Sequence, residues 1–289
     1  MKLTLGTAQF GLDYGIANIS GRVPSDEVRR ILALAKKSGI NTIDTAITYG
    51  ASEKVLGDIG VDDFSVISKL PPLPDSRCDV SYWVQDQFEA SLTRLNQRQI
   101  YGLLLHNPRD LLFDASNQLI HALLDLKNAG AVRKIGVSIY NSDELDEITK
   151  KIQIDLVQAP LNIIDRRMET SGWLERLKDA GVEIHTRSVF LQGLLLMKRQ
   201  DIPTKFSRWC SIWDAWHEML QHSGISPIAA CLAYPLSLNQ IDRVVVGADN
   251  IQQLQEIVEA AKYPIVGLDT SFMSSIDFDL VNPPRWSDI

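Results

Sequence analysis

Apolar and polar positions alternate with two distinct periods along this chain. Eight short runs rich in β-branched and aliphatic residues read as strands: Leu3–Ala8, Asn41–Ala46, Phe64–Leu70, Ile100–His106, Lys134–Tyr140, Leu156–Leu161, Glu183–Val189 and Arg243–Gly247. Between them lie helical patterns. Ser25-Asp26-Glu27 opens one such stretch, with Val28, Ile31, Leu32 and Ala35 on one face and Gly39 closing it. Val84–Leu95 aligns Phe88, Leu92 and Leu95, Leu119–Ala129 stops at Gly130, Trp173–Ala180 stops at Gly181, and Gln252–Ala261 follows the last strand. Eight strands, each followed by a helix within 289 residues, predict an α/β protein whose parallel strands close into a (β/α)8 TIM barrel.

The competing arrangement is an open, doubly wound sheet. Against it, Gly6-Thr7-Ala8-Gln9-Phe10-Gly11 after the first strand lacks the GxGxxG spacing of a dinucleotide loop. No linker-like stretch divides the chain, so residues 1–289 read as a single domain. Two segments break the repeat. Met197–Ser211 is a polar, proline-containing excursion after the seventh strand. Residues 263–289 show little helical periodicity, end in Pro283-Pro284-Arg285-Trp286, and read as a long C-terminal covering loop. Irregular segments of this kind in a barrel act as lids or specificity loops, the alternative being a crossing packed on the outside. Trp209, Trp213 and Trp216 have the i, i+4, i+7 spacing of a helix face buried against the barrel, with a second reading for Trp209 as a wall of a substrate pocket.

Composition narrows the function classes. With 45% apolar and 22% charged residues the chain is neither disordered nor of low complexity. A net charge of −7 with only isolated basic pairs (Lys36-Lys37, Arg166-Arg167, Lys198-Arg199) argues against nucleic acid as a partner. No apolar run approaches the roughly 18 residues of a membrane span, and the polar start Met1-Lys2-Leu3-Thr4 is unlike a signal-peptide core. Cys78, Cys210 and Cys231 stand far apart without a CxxC, which fits a reducing compartment and gives neither a disulfide frame nor a zinc knuckle. His217 and His222 are five residues apart, off the spacing of a helical zinc pair, and His121 and His185 stand alone, so no metal is expected. A soluble, cytoplasmic protein is the expectation.

Barrel enzymes place their chemistry at the C-terminal ends of the strands. Reading those ends gives Asp44 with Tyr49 just beyond it, Lys69 closing the third strand, and His106 closing the fourth. Strands lie about 4.8 Å apart, so these side chains can converge on one pocket. Each has a bland reading alone: a helix cap, a solvated lysine, a satisfied structural histidine, a loop-anchoring tyrosine. Together they form a set with chemical sense. A phenol is a poor acid near neutral pH, and an adjacent ammonium lowers its pKa, which makes Tyr49 a usable general acid. Asp44 would pair with Lys69, and His106 would orient a substrate oxygen. That set suits reduction of a small carbonyl substrate, provided something supplies a hydride.

Taken in order and context, these residues resemble those of the aldo-keto reductase family, and the resemblance runs from Gly6-Thr7 to the eighth strand. Asp44, Tyr49, Lys69 and His106 match the family's catalytic four; Gly136-Val137-Ser138 and Val157-Gln158-Ala159-Pro160-Leu161-Asn162 resemble its fifth- and sixth-strand motifs; Arg187-Ser188-Val189-Phe190-Leu191-Gln192-Gly193-Leu194 is similar to its seventh-strand segment. The resemblance implies a nicotinamide cofactor, NADP(H) or NAD(H), held extended across the barrel mouth without a Rossmann fold. It implies Tyr49 as proton donor tuned by Lys69 and Asp44, and His106 orienting the carbonyl. Ser138, Gln158 and Asn162 would hold the carboxamide, with Arg187 stacking on the nicotinamide where many members carry tyrosine. Gly6, Thr7, Ser188, Gln192 and Gly193 would lie along the cofactor, and Gly247, Asp249 and Asn250 on its phosphate and adenosine side.

The sequence also departs from the family pattern. From Gly247 to Ile257 there is no Arg or Lys to grip a 2′-phosphate, Gln253 and Ile257 stand where Arg and Asn are expected, and Ser138 precedes Ile139 instead of Asn. Asp249 would repel a phosphate and could accept a hydrogen bond from a free ribose hydroxyl. Weaker discrimination for NADP, extending to a preference for NAD, is the expectation. Two other functions fit the fold: a nicotinamide-binding regulatory or sensor subunit without turnover, and a barrel lyase using Lys69 in a Schiff base. Substrate choice would lie near Phe10, Phe206–Trp213 and Trp286.

Overall fold

The computed structural model describes residues 1–74, 79–113 and 116–289. Cys78 lies outside the described residues. Eight parallel strands, β1 (Leu3–Gly6), β2 (Thr42–Asp44), β3 (Ser65–Leu70), β4 (Ile100–Leu105), β5 (Val132–Ser138), β6 (Leu156–Pro160), β7 (Glu183–Arg187) and β8 (Arg243–Val246), pair in sequence order. The barrel closes where Leu3, Thr4 and Leu5 of β1 pair with Val244, Val245 and Val246 of β8. The fold is the (β/α)8 barrel that the alternation predicts.

All eight strand runs are present, and seven stop one or two residues short of the C-terminal ends read from the pattern. The cause is local. At the mouth the chain leaves the ladder to start its next helix; Ala8–Gly11, for instance, is already a helical turn. The five expected helices appear as Ser25–Lys37, Val80–Leu95, Ser116–Asn128, Trp173–Asp179 and Ile251–Lys262. Three more were hidden from the periodicity. Ser52–Ile59 and Glu144–Lys151 are two-turn helices, too short for a period to register, and Pro227–Ser237 is apolar nearly all round and contains Pro235.

Side chains alternate between the barrel interior and the helix-covered exterior. On the interior side, Ile67, Leu104 and Leu156 pack on one another as a plug, while the larger apolar core fills the space between barrel wall and helices. Below the plug Glu183 ties the strands together: Tyr101 donates to its Oε2 at 2.6 Å, His185 Nε2 lies 2.7 Å from its Oε1, and Lys134 pairs with it. These side chains fill the lower part of the barrel interior, and a cavity opens at the C-terminal mouth.

The excursion after β7 is two short 3-10 turns, Arg199–Asp201 and Thr204–Trp209, leading into a helix at Cys210–Ser223. Trp213 and Trp216 are buried, their indole N–H groups donating to Phe206 O at 3.0 Å and Leu195 O at 3.1 Å. Trp209 is buried too, but its Nε1 donates to Asp277 Oδ2 of the tail at 3.1 Å, and it is not part of the cavity wall. The segment 263–289 packs on this excursion and on the loop after β6: the Phe206 and Trp286 rings meet at 4.9 Å, and Ser275 N–H donates to Ile164 O at 2.9 Å. Tyr263 alone of that segment reaches the cavity.

Candidate active site

Asp44 ends β2 facing inward, and its placement is pinned from the neighbouring strand. Its carbonyl accepts from both the backbone N–H and the hydroxyl of Thr7, each at 3.0 Å, and Ser52 Oγ donates to Thr7 O at 2.9 Å. Tyr49 sits in the turn that follows, held by its own N–H donating to Ala46 O at 3.0 Å. That turn is seated against Gly11. A Cβ on Gly11 would stand 1.9 Å from Tyr49 O, and one on Gly50, whose φ is +55°, would stand 2.5 Å from Gly11 O. Two glycines thus let two backbones touch, which sets the height of the tyrosine over the barrel.

Lys69 lies beneath Tyr49 and is fully buried. Its ammonium donates to Asp44 Oδ1, Asp44 Oδ2 and Thr45 O, all at 2.8 Å, and lies over the Tyr49 ring 5.0 Å from its centroid. An ammonium has three donors, and all three are used. Gln158 Nε2 donates to Asp44 Oδ1 at 2.6 Å, while Ser138 Oγ donates to Gln158 Oε1 at 3.2 Å. His106 follows β4 and meets the Tyr49 ring edge to face, centroids 5.9 Å apart, with Thr48 Oγ1 3.1 Å from its Nδ1. The structure therefore gathers Asp44, Tyr49, Lys69 and His106 in one place.

Electrostatics in this cluster differ from the expectation in one respect. Burial pushes the Tyr49 hydroxyl well above its ordinary value, the Asp44 charge adds to that, and Arg187 opposes it. The Lys69 ammonium over the ring is at the same time ion-paired with Asp44. Burial likewise pushes Lys69 below its ordinary value, against the charge and hydrogen bonds of Asp44. His106 is pushed down to about 4 by burial, helped by the Lys69 and Arg187 charges, so its imidazole is neutral near pH 7.

A cavity of about 920 Å³ opens above this cluster. Asp44 and Tyr49 form one end with Gly6, Thr7 and Arg187; Ser188, Gln192 and Gly193 form a wall; Gly247, Asp249, Gln253, Glu256 and Glu259 form the far end. A Cβ on Gly247 would stand 2.5 Å from Gln9 Nε2, so the Gln9 side chain packs directly on this glycine. Ser188, Leu191 and Gln192 carry positive φ values of 62°, 47° and 53°, and Asn162 Nδ2 braces the first by donating to Ser188 O at 3.0 Å.

A family model, the aldo/keto reductase family, matches residues 2–277. The chain belongs to the aldo/keto reductase family. It is thus an oxidoreductase. Among known relatives it is similar to an uncharacterised oxidoreductase of Bacillus subtilis (strain 168), 26% identical over 281 residues and covering 90% of each chain. It is also similar to the NADH-specific methylglyoxal reductase of Escherichia coli (strain K12), 24% identical over 282 residues, 83% of this chain and 84% of the relative. The holo form of an aldo-keto reductase from Bacillus halodurans superimposes with a TM-score of 0.74 at 22% identity, over 92% of this chain and 88% of that one.

Within this aldo/keto reductase several residues singled out from the sequence stand apart from the cavity wall. Lys69, Ser138 and Gln158 form its buried underside. Asn162 is committed elsewhere: its Oδ1 accepts from the N–H groups of Ile164 and Asp165 at 2.9 Å, closing its own turn. Asn250 caps the helix Ile251–Lys262 by accepting from Gln253 N–H at 2.9 Å. Closed within its ion pair, Lys69 has no free path to a substrate carbonyl, which counts against a Schiff base. Tyr14, Gly11 and Gly50 shape the site without having been read from the sequence; the only signal for the glycines was their place beside two strand ends. No three His, Cys, Asp or Glu side chains among the described residues group to hold a metal, and no helix there is long and apolar enough to cross a membrane.

Proposed function

We propose that this enzyme reduces the carbonyl of a small aldehyde, ketone or sugar to an alcohol with a nicotinamide cofactor, NAD(H) in preference to NADP(H), with Tyr49 as proton donor. The observation that carries the reading is the Asp44–Lys69 pair under Tyr49, with His106 edge-on, beside a cavity of about 920 Å³. Ser188, Gln192, Gly193 and Gly247 line this cavity together with Tyr49, which supports a cofactor lying along it. Ser138 and Gln158 would meet the carboxamide from below once Gln158 turns from Asp44, and Arg187 would flank the ring. When bound, the nicotinamide supplies the hydride that reaches the carbonyl carbon.

The rest falls to the chain. Tyr49 O–H donates a hydrogen bond to the carbonyl oxygen and gives up its proton as negative charge grows there. A phenol is protonated at neutral pH, as a donor must be. Neutral His106 offers the same oxygen an N–H: if Thr48 Oγ1 donates to Nδ1, the proton resides on Nε2. The Asp44–Lys69 pair fixes the floor on which Tyr49 rests.

The preference for NAD(H) rests on the far end, where Asp249, Glu256 and Glu259 line the cavity and, among the described residues, no Lys or Arg joins them. A second phosphate there would meet carboxylates, whereas a ribose hydroxyl would find acceptors. The test is NADH consumption with a panel of aldehydes and aldoses. Tyr49→Phe should lower turnover by about 10²-fold or more while NADH still binds. Undiminished turnover in that variant would refute the assignment.

A further inference from the structure

A second cavity, of about 470 Å³, opens at the N-terminal end of the barrel and shares no lining residue with the catalytic one. Lys134 of β5, Glu183 of β7 and Arg243 of β8 line it from the strands, with Tyr101 of β4 beside them. Asp242 enters just before β8, and Lys178 comes from the helix Trp173–Asp179. The size falls within the range of small-ligand sites, roughly 300–1,000 Å³. Three cations face two acids here, in a chain whose net charge is −7.

The two acids are already engaged. Glu183 Oε1 is met by His185 Nε2, and its Oε2 accepts from the Tyr101 hydroxyl and from Lys134. Burial would raise the pKa of Glu183, but those three hydrogen bonds hold it well below the usual carboxylate range. Asp242 Oδ1 accepts from Lys178 and Oδ2 from the backbone N–H of Ile184, each at 2.9 Å. The cations are the reverse case. Lys134 and Lys178 each give one hydrogen bond to these acids, out of the three an ammonium can make. Arg243 donates from Nη1 to Met1 O at 3.1 Å, and among the described residues it forms no ion pair with a carboxylate.

We propose that this N-terminal cavity binds a phosphate group, held by Arg243 and by the free donors of Lys178 and Lys134. The site is independent of the carbonyl reduction proposed above. Its carboxylates are satisfied, and its spare charged groups are ammonium and guanidinium donors, so it selects a ligand that only accepts. A tetrahedral dianion presents oxygens toward three cations set on different elements, whereas a planar carboxylate presents two. An arginine without a carboxylate partner also supplies the fork of donors that a phosphate takes in bidentate fashion. The group can arrive as inorganic phosphate or as the end of a phosphate monoester, whose organic part the remaining volume accommodates. Bound there, it would tie β5 and β8 to the helix that precedes β7 and stabilise the fold by mass action.

Isothermal titration calorimetry of the full chain with inorganic phosphate and with ribose 5-phosphate, each with and without NADH, tests the site. One phosphate should bind per chain, with an affinity that NADH leaves unchanged because the two cavities are separate. Tighter binding of ribose 5-phosphate would identify a monoester as the ligand, and tighter binding of inorganic phosphate the free ion. Phosphate at ten times its dissociation constant should raise the unfolding midpoint by about 3 °C over sodium chloride of equal ionic strength. Arg243→Gln should weaken phosphate binding at least about tenfold, as expected for a lost hydrogen bond to a charged group. Lys178→Gln should do the same and keeps the fold, because Asp242 retains the Ile184 N–H. Arg187→Gln, which removes the cation lining the catalytic cavity, should leave phosphate binding intact. Binding that survives Arg243→Gln and Lys178→Gln but is lost in Arg187→Gln or displaced by NADH would put the anion in the catalytic cavity and overturn the proposal. Neither heat nor a midpoint shift up to about 10 mM phosphate would overturn it as well.

Discussion

The ammonium of Lys69 lies 2.8 Å from both carboxylate oxygens of Asp44, with the lysine fully buried and the aspartate 4% exposed. Such a pair is weak evidence for stability as a unit, because desolvation offsets the attraction, but breaking it leaves one uncompensated charge in the barrel. Lys69→Met should therefore destabilise the fold by about 3–5 kcal/mol. Asp44→Asn combined with Lys69→Met should recover most of that loss, since neither charge then remains. Urea denaturation of the two variants checks the sign; equal destabilisation in both would show that the pair is not the source.

The neutral state of His106 has a kinetic consequence. Its pKa is held at about 4 by burial first, then by Lys69 and Arg187. A lowered histidine pKa extends the neutral form to lower pH, so imidazolium should appear only as pH falls toward 4. Carbonyl reduction should then show no acidic limb near 6.5, the ordinary histidine value, with any loss due to His106 confined below about pH 5. A pH profile of kcat/KM for wild type and His106→Gln measures this. An inflection near 6.5 in the wild type that vanishes in His106→Gln would contradict it.

The height of Tyr49 depends on a contact with no side chain in it. Gly11→Ala would put a methyl group 1.9 Å from Tyr49 O, in a place bounded by backbone on both sides. Overpacking of this kind costs about 1–3 kcal/mol, and here the turn carrying the catalytic hydroxyl is what must shift. Turnover should drop at least as much as stability suggests, with NADH affinity little changed because the far end of the cavity is untouched. Thermal denaturation beside steady-state kinetics separates the two effects; a fully active Gly11→Ala enzyme would show that the turn is not seated as described.

How far the sequence could be read follows from the same residues. Asp44, Lys69 and His106 were legible because a barrel strand fixes where its last residue points, and their chemistry converges only at one face. Gly11 and Gly50 were not, because a close backbone approach between two loops leaves no periodic trace. Asn162 and Asn250 have the residue types of ligand contacts, yet a turn and a helix N-terminus claim their side chains first. The helix Pro227–Ser237, apolar on nearly every side, offered no alternation to detect. Charge balance at the phenol was the subtlest matter: the sequence placed an ammonium near Tyr49, and only the geometry shows that ammonium fully engaged by Asp44 and Thr45.

Cofactor choice can be decided at the acidic end of the cavity. Asp249 is half-buried, its pKa raised by burial against the hydrogen bond from Gln253, and Glu256 and Glu259 stand on the next turns of the helix Ile251–Lys262. Among the described residues no Lys or Arg lines this end. A 2′-phosphate would bring about two more negative charges close to these acids, while the NAD ribose brings none; even about 1.4 kcal/mol of repulsion is tenfold in affinity. NADH should therefore bind at least about tenfold more tightly than NADPH, and the gap should narrow as salt screens the carboxylates. Glu256→Arg should shrink the ratio by removing an acid and adding a cation, leaving turnover with saturating NADH unchanged. Dissociation constants from quenching of tryptophan fluorescence, at low and high salt, give the comparison directly. Tighter binding of NADPH by the wild type would mean that the phosphate finds a cation this cavity does not display, and the preference would have to be reversed.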